Sequence, residues 1–279
     1  MIQENLMTKF PHFEYVDMFR SSCGWPKCVL NGETRFVGEE TYRAGAAVTD
    51  KPTFIVDPID GTTNFIHTLP AVCVSIGVCV NKKPVAGVVH NPFTGVLWSA
   101  VRGHGAYVRS TEATCLAGLS TTPQRLPLRP TLPPLNTLQD ALVAVEWGSD
   151  RDGPHWDARV QLFSKLGGSK RTGGGMVHGF RSSGSAALNF CAVASGQLDV
   201  AWEAGAWAWD VCAAWAILEE AGGRVVDANP KLKAQTWEEK APNLEGRTFL
   251  GVRATNSEME QERVVEELWR LVDSDFTYA

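Results

Sequence analysis

The sequence lacks several features that define common protein classes. No apolar run approaches the ~20 residues that a transmembrane helix requires, and the N-terminus has no signal-peptide apolar core. No basic stripe is present, and the formal net charge of −5 argues against nucleic acid as a partner. We therefore expect a soluble, cytoplasmic protein that binds neither membranes nor nucleic acid.

Cysteine pairs and the common nucleophile motifs are also missing. The seven cysteines are scattered, and their odd number does not make a closed disulfide framework. Neither Ser183 nor Ser185 lies in a G-x-S-x-G motif, and the glycine-rich stretch Gly167–Gly175 has no lysine after its last glycine. The sequence thus argues against a disulfide scaffold, a serine hydrolase and a P-loop protein.

The stretch Thr53–Phe65, TFIVDPIDGTTNF, carries the clearest chemical signal. Thr53–Val56 predicts a buried strand, which we expect to end at Asp57 because Pro58 cannot donate to a sheet ladder. Asp60, three residues on, is expected to return its carboxylate to the same side as that of Asp57. Gly61-Thr62-Thr63-Asn64 predicts a helix start, whose free N–H groups suit a phosphate.

Two neighbouring acids repel each other, so the pair must shift a pKa, stay solvated or hold a cation. Carboxylate oxygens and a nearby phosphate site favour Mg²⁺. Taken alone, the residues leave a plainer alternative open, in which Asp57 lies in a turn and Asp60 caps the helix. Asp210 is likewise predicted to be an N-cap, because it stands directly before an apolar helical stretch.

Four segments together resemble one known family. DPIDGTTNF resembles the signature of the inositol monophosphatase family, the Mg²⁺-dependent, lithium-sensitive phosphomonoesterases. GEET (Gly38–Thr41) resembles the acidic motif that precedes this signature, and WDVCAAWAILEEAGGRVVD (Trp209–Asp227) resembles the W-D…E-A-G-G motif that follows it. RSSGSAALNFCAVASGQLDVAWE (Arg181–Glu203) also follows the family pattern. The resemblance covers about residues 36–275.

The resemblance implies two magnesium ions and a direct attack by water. One Mg²⁺ would be bound by Glu39, Asp57 and the carbonyl of Ile59, and the other by Asp57, Asp60 and Asp210. Glu39 and Thr62 would orient the attacking water as the catalytic residues. Gly184, Ser185, Ala186 and Glu203 would contact the polyol. The full set of implied substrate-binding residues is Glu39, Ile59, Asp60, Gly61, Thr62, Gly184, Ser185, Ala186, Glu203 and Asp210.

The activity implied is hydrolysis of a phosphate monoester, most naturally inositol monophosphate, to the alcohol and phosphate. Two alternatives stay open. One is a phosphatase for another small phosphate, such as a sugar phosphate, histidinol phosphate or a phosphoadenosine. The other is an inactive family member that acts as a binding or regulatory protein. The resemblance also makes a homodimer one candidate assembly.

The order of predicted elements indicates an α+β region followed by an α/β region. With the resemblance, we expect layered helices and sheets of the inositol monophosphatase and fructose-bisphosphatase type, with a truncated N-terminal helix region. We expect an N-terminal subdomain over residues 1–140, a C-terminal subdomain over 141–279, and the active site between them. Tyr15–Arg35 looks like a 21-residue insertion, and Leu116–Asn136, rich in threonine and proline, is predicted to be an extended surface segment.

Overall fold

A computed structural model of the chain describes residues 34–42, 47–111, 118–129, 131–231, 233–272 and 276–278. Most of the predicted insertion Tyr15–Arg35 lies outside these residues. Its last residue, Arg35, begins a strand and pairs with Thr53, and the insertion itself stays a prediction. In the ranges described, no helix is long and apolar enough to cross a bilayer.

The first sheet contains seven strands whose spatial order follows the chain. The first two strands pair in parallel, and every later pair is antiparallel. Its strands are β1 (Arg35–Gly38), β2 (Thr53–Asp60), β3 (Cys73–Val80), β4 (Lys83–Asn91), β5 (Val96–Val101), β6 (Gly105–Ser110) and β7 (Gln124–Arg125). A short helix, α1 (Thr62–Ile66), directly follows β2.

The second sheet contains five strands in the order β11-β12-β10-β8-β9. Its strands are β8 (Leu142–Val145), β9 (Gly179–Arg181), β10 (Val200–Ala204), β11 (Arg224–Val226) and β12 (Thr248–Val252). Strand β8 runs parallel to both of its neighbours, whereas β12 is antiparallel to both of its own. The remaining helices are α2 (Gly153–Gly167), α3 (Ala186–Ser195), α4 (Ala208–Glu220), α5 (Trp237–Lys240) and α6 (Glu258–Trp269).

Helices and sheets form alternating layers, as expected for the fold class. The largest buried cluster joins α3 and α4 to one face of the first sheet and to the second sheet. A second cluster covers the other face of the second sheet with apolar residues of α2 and α6. The apolar composition of α3 and α4 follows from this position, because a helix between two sheets is buried nearly all round. The division into two subdomains stays a prediction.

The central helix α4 approaches the first sheet unusually closely. Gly77 of β3 and Gly87 of β4 lie opposite each other in the ladder. A Cβ atom added to Gly77 would lie 2.5 Å from Cys212 Sγ, and one added to Gly87 would lie 2.1 Å from the carbonyl oxygen of Ala213. Only glycine at these two positions allows the helix to rest directly on the sheet.

The segment Leu116–Asn136 was predicted to lie on the surface, but parts of it are buried. Of its described residues, Leu126 and Leu135 are buried, with 4% and 0% of their surface exposed. Leu126 packs into the cluster between the sheets, and Leu135 into the cluster beneath the second sheet. The prolines and threonines of the segment concealed these isolated anchors, because single apolar residues have no period to detect.

We expect Gly87→Ala to destabilise the protein by about 1–3 kcal/mol, because the new methyl group collides with the helix backbone. Gly179→Ala is the matched control: its Cβ would meet its nearest neighbours at 3.6 Å, an ordinary contact. The midpoints of urea unfolding measure both changes. Equal midpoints for the two variants would contradict the close packing of α4 on the sheet.

Candidate active site

Strand β2 carries two acids on one face because it contains an irregularity. Asp57 pairs with Ser75 and Asp60 pairs with Cys73, so three steps along β2 match two along β3. In a regular strand, residues three apart point to opposite faces, and one extra residue returns them to the same face. The expectation of a shared side is therefore met. The expectation that the strand ends at Asp57 is wrong, since β2 continues to Asp60.

The third acid comes from the start of α4. Asp210 is the third residue of the helix, and Trp207 is the N-cap, so the prediction of Asp210 as the N-cap is wrong. Its Oδ2 accepts a hydrogen bond of 2.7 Å from the backbone N–H of Trp207. An acid in the first turn is favoured by the free N–H groups and the helix dipole there.

Asp57, Asp60 and Asp210 form a compact cluster, in which one carboxylate oxygen of each lies within 4.8 Å of the others. One oxygen of each acid is already held. Asp57 Oδ1 accepts from the N–H of Ile59 at 2.8 Å, Asp60 Oδ2 from Ser185 Oγ at 2.6 Å, and Asp210 Oδ2 from Trp207. These bonds fix the orientation of each carboxylate, and the oxygens that lie close together are the atoms that a cation could bind. Three carboxylates held in this way fit a hard divalent ion such as Mg²⁺.

Electrostatics support a cation at this cluster. Burial and the charges of Asp60, Asp210 and Glu39 raise the pKa of Asp57 to about 11. Burial and the charge of Asp60 raise the pKa of Asp210 to about 7. Burial also raises the pKa of Asp60 to about 6, although hydrogen bonds from Ser185, Ala187 and Cys73 oppose the shift. A divalent cation would stabilise the charged forms and reverse these shifts.

Glu39 and Thr62 lie beside this cluster. Glu39 opens a short 3₁₀ turn after β1, and its carboxyl bonds to that of Asp57. Partial desolvation of the Glu39 carboxyl raises its pKa, and the hydrogen bond to Asp57 partly opposes this rise. Thr62 Oγ1 donates to the carbonyl oxygen of Ile59 at 3.2 Å, which leaves the lone pairs of the hydroxyl for another donor.

Ser185 joins the acidic cluster to the next helix. Its Oγ donates to Asp60 Oδ2 and accepts at 3.1 Å from the N–H of Leu188, so it is the N-cap of α3. The N–H of Ala187 also donates to Asp60 Oδ2, at 2.9 Å. Gly184 precedes the cap with a φ of +78°, and a Cβ there would come within 2.9 Å of the Asn64 side chain. The loop before α3 therefore needs glycine.

A buried carboxyl on a neighbouring strand bonds to the same helix, α3. Glu203 of β10 is 4% exposed and accepts a hydrogen bond of 3.1 Å from Asn189 Nδ2. Burial and the neighbouring charge of Glu146 raise the pKa of Glu203 well above its ordinary value. Glu146, at the end of the second sheet's β8, accepts from the N–H groups of Ser183 and Gly184 at 2.7 and 3.0 Å.

Aromatic rings join the Glu39 turn to the start of α4. Trp207 stacks on Trp209 with ring centroids 5.0 Å apart, and Tyr42 contacts both rings at 5.3 and 5.1 Å. The guanidinium of Arg247 lies 3.7 Å above the Trp207 ring. Since the backbone N–H of Tyr42 bonds to the carbonyl oxygen of Glu39, these contacts hold the Glu39 turn near Asp210.

Comparison with known proteins shows the family of the chain. A family model described as the inositol monophosphatase family matches residues 31–273. The chain belongs to the inositol monophosphatase family. Inositol monophosphatase 2 of Saccharomyces cerevisiae is 41% identical over 282 residues, covering 100% of this chain and 80% of the relative. Protein qutG of Emericella nidulans is 40% identical over 259 residues, covering 85% of this chain and 74% of the relative.

Solved structures agree with this family assignment. The inositol monophosphatase from Anabaena (Nostoc) sp. PCC 7120 superposes with a TM-score of 0.63 at 26% identity, covering 92% of this chain and 81% of that one. The family is metal-dependent, and the cluster of Asp57, Asp60 and Asp210 supplies residues that could bind the metal. The layered architecture predicted from the resemblance is confirmed.

The structure brings the sequence-predicted residues to one region, and their individual roles stay predictions. Asp57, Asp60 and Asp210 form the cluster, Glu39 and Thr62 border it, and the Gly184-Ser185-Ala186 segment contacts it through Ser185. Sequence reasoning missed Glu146 and Asn189. The only sequence signal for Glu146 was a lone acid at the end of a predicted strand, which is too common to single out.

We expect Mg²⁺ to stabilise the protein more at pH 8 than at pH 5. The folded-state pKa values of Asp60 and Asp210 are raised from 3.8 to about 6 and about 7. The metal-free native state therefore binds more protons than the unfolded state, and the stabilisation from this excess is lost as pH rises from about 4 through 7. Melting temperatures with EDTA and with Mg²⁺, at both pH values, measure the effect.

Asp210→Asn is the comparison for this measurement, since it removes one of the repelling charges. Its metal-free melting temperature should fall less between pH 5 and pH 8 than that of the wild type. A Mg²⁺-dependent increase of equal size at both pH values would contradict a metal site built from these acids.

Proposed function

We propose that the chain is a Mg²⁺-dependent phosphomonoesterase that hydrolyses inositol monophosphate to inositol and phosphate. The observation that carries the proposal is the position of the acidic cluster. The cluster adjoins the start of α1, which suits a phosphate, and contacts the Ser185 segment, which leads to Asn189 and the buried carboxyl of Glu203. Yeast inositol monophosphatase 2, 41% identical, carries this activity in its name.

The chain's own residues would bind the phosphate and position the attacking water. Asp57, Asp60, Asp210, Glu39 and the carbonyl of Ile59 would hold the metal. Bound Mg²⁺ would supply Lewis acidity and neutralise the charge that develops on the phosphate and on the leaving oxygen. Backbone N–H groups of Gly61 and Thr62, at the start of α1, would donate to the phosphate oxygens.

Glu39 and Thr62 would act on the water. The hydroxyl of Thr62 donates to the Ile59 carbonyl, so its lone pairs can accept one hydrogen of the water. Partial desolvation raises the pKa of the Glu39 carboxyl. This carboxyl would accept the second proton of the water as the water oxygen attacks phosphorus. On the far side of the phosphate, Glu203 and the Gly184–Ala186 segment would bind the hydroxyls of the leaving polyol.

A second candidate is a phosphatase for another small phosphate monoester. The name of the qutG relative mentions no inositol, although the identity, 40%, is nearly the same. Phosphate release from inositol 1-phosphate and from a panel of sugar phosphates, with and without Mg²⁺, separates the two candidates. Failure to release phosphate from any ester would favour the third possibility, an inactive binding protein. A homodimer also stays a prediction.

Asp60→Asn should abolish Mg²⁺-dependent activity, with a loss on the order of 100-fold or more because a metal ligand is removed. The amide oxygen can still accept from Ser185 and Ala187, so the free energy of unfolding should change by about 1 kcal/mol or less. Asp140→Asn is the control, since Asp140 Oδ2 accepts from the N–H groups of Asn136 and Thr137 outside the site. Near-native turnover by Asp60→Asn would refute the proposed metal site.

Glu203→Gln should lower the use of inositol phosphate while preserving hydrolysis of phenyl phosphate. The change leaves the acidic cluster intact, and the amide oxygen can still accept from Asn189. A carboxyl oxygen facing the polyol is exchanged for an NH₂ group, which donates where an acceptor is required. The ratio of kcat/KM for the two esters is the measurement, and an equal loss on both would show that Glu203 supports the fold or the metal ions instead.

A further inference from the structure

Asn189, on the first turns of α3, joins the buried carboxyl of Glu203 to the half-buried carboxyl of Glu146. Its Nδ2 donates to Glu146 Oε1 at 2.8 Å and to Glu203 Oε1 at 3.1 Å, and its Oδ1 accepts from Ser183 Oγ at 2.6 Å. Asn189 is 2% exposed. The two amide hydrogens and the carbonyl are all engaged, and a reversed amide would turn its oxygen toward two carboxyls. The side chain therefore has one favourable orientation.

Glu146 organises the loop that precedes α3. Its Oε1 accepts from the N–H groups of Ser183 and Gly184 as well as from Asn189, and its Oε2 accepts from Ser182 Oγ at 2.8 Å. From the opposite side, Asn64 Nδ2 donates to the carbonyl oxygen of Ser183 at 2.6 Å. The Ser182–Gly184 loop is thus held between the second sheet and α1.

This network connects the two ends of the proposed substrate site. The loop runs directly into Ser185, whose hydroxyl donates to Asp60, and Asn189 lies one turn further along the same helix, where it bonds to Glu203. The distance between the acidic cluster and Glu203 is therefore set by one rigid unit. A displacement of about 1 Å in such a unit is enough to lower catalysis on the order of 100-fold.

We propose that Glu146 and Asn189 are positioning residues that fix Glu203 and the Ser182–Gly184 loop relative to the acidic cluster. Together they set the preference for polyol over aryl leaving groups. The proposal rests on the proposed function and adds two residues to it. Burying paired polar groups is a poor way to gain stability, because apolar residues of similar volume serve equally well or better. Orientation of a neighbouring group is the better-supported use of such a network.

Two variants remove the network by different routes. Asn189→Leu keeps the approximate volume and loses every hydrogen bond, and Glu146→Ala removes the acceptor of the loop N–H groups at a half-buried position. Glu146→Gln is the conservative rescue: its amide oxygen can accept the same three N–H groups, and its NH₂ can donate to Ser182 Oγ. Gln261→Met is the matched control, because Gln261 is also a buried amide, which donates to Gly222 and Arg253 outside the site.

The main measurement is the ratio of kcat/KM for inositol 1-phosphate to that for phenyl phosphate. We expect Asn189→Leu and Glu146→Ala to lower this ratio on the order of 10- to 100-fold, chiefly through KM for inositol phosphate. Glu146→Gln and Gln261→Met should leave it near the wild-type value. An unchanged ratio, or an equal loss on both esters in all variants, would overturn the positioning role.

Amide hydrogen exchange provides a readout that does not depend on activity. The N–H groups of Ser183 and Gly184 should exchange faster in Glu146→Ala than in the wild type and in Glu146→Gln. A wild-type chain that hydrolyses neither ester would refute the proposed function, and the exchange rates would then decide the inference. Unchanged rates in Glu146→Ala would overturn it.

Discussion

Mutual repulsion among buried carboxyl groups is the constraint on which this structure depends. Asp57, Asp60 and Asp210 share a small volume, and in the described ranges none of them forms an ion pair with lysine or arginine. Burial of like charges opposes folding unless the groups are protonated or a cation is bound. The protein holds one oxygen of each acid with an N–H or O–H donor, so the acids stay in place with a carboxylate oxygen of each close to the others.

The geometry of the cluster depends on tertiary packing more than on local chain direction. Asp210 reaches the irregular end of β2 because α4 lies directly on the sheet, over the facing pair Gly77 and Gly87. A side chain at either glycine would lift the helix and carry Asp210 away from the other two acids. Packing in the core and the geometry of the site are therefore parts of the same arrangement, although these glycines have no chemical role.

Sequence patterns predicted what is encoded within a few residues of the chain. The run TFIVDPIDGTTNF indicated a strand, two acids on one side and a helix start, and all three are present. The boundaries were wrong where long-range pairing decides them: β2 continues past Asp57 because β3 pairs with it as far as Cys73. Glu146 and Asn189 could not be predicted, since their partners lie up to 43 residues away and only the folded chain brings them together.

The Ser185 hydroxyl couples ligand binding at the acidic cluster to the stability of the first turn of α3. The same hydroxyl donates to Asp60 and accepts from the N–H of Leu188, so it serves the acidic cluster and the first turn of α3 at once. Any ligand that fixes Asp60 lowers the freedom of this hydroxyl and so disfavours fraying of the helix. Coupling of this kind is reciprocal, which means that a helix with a frayed end must bind the ligand more weakly by the same free energy. The affinity of the cluster for its ion is thus partly a property of α3.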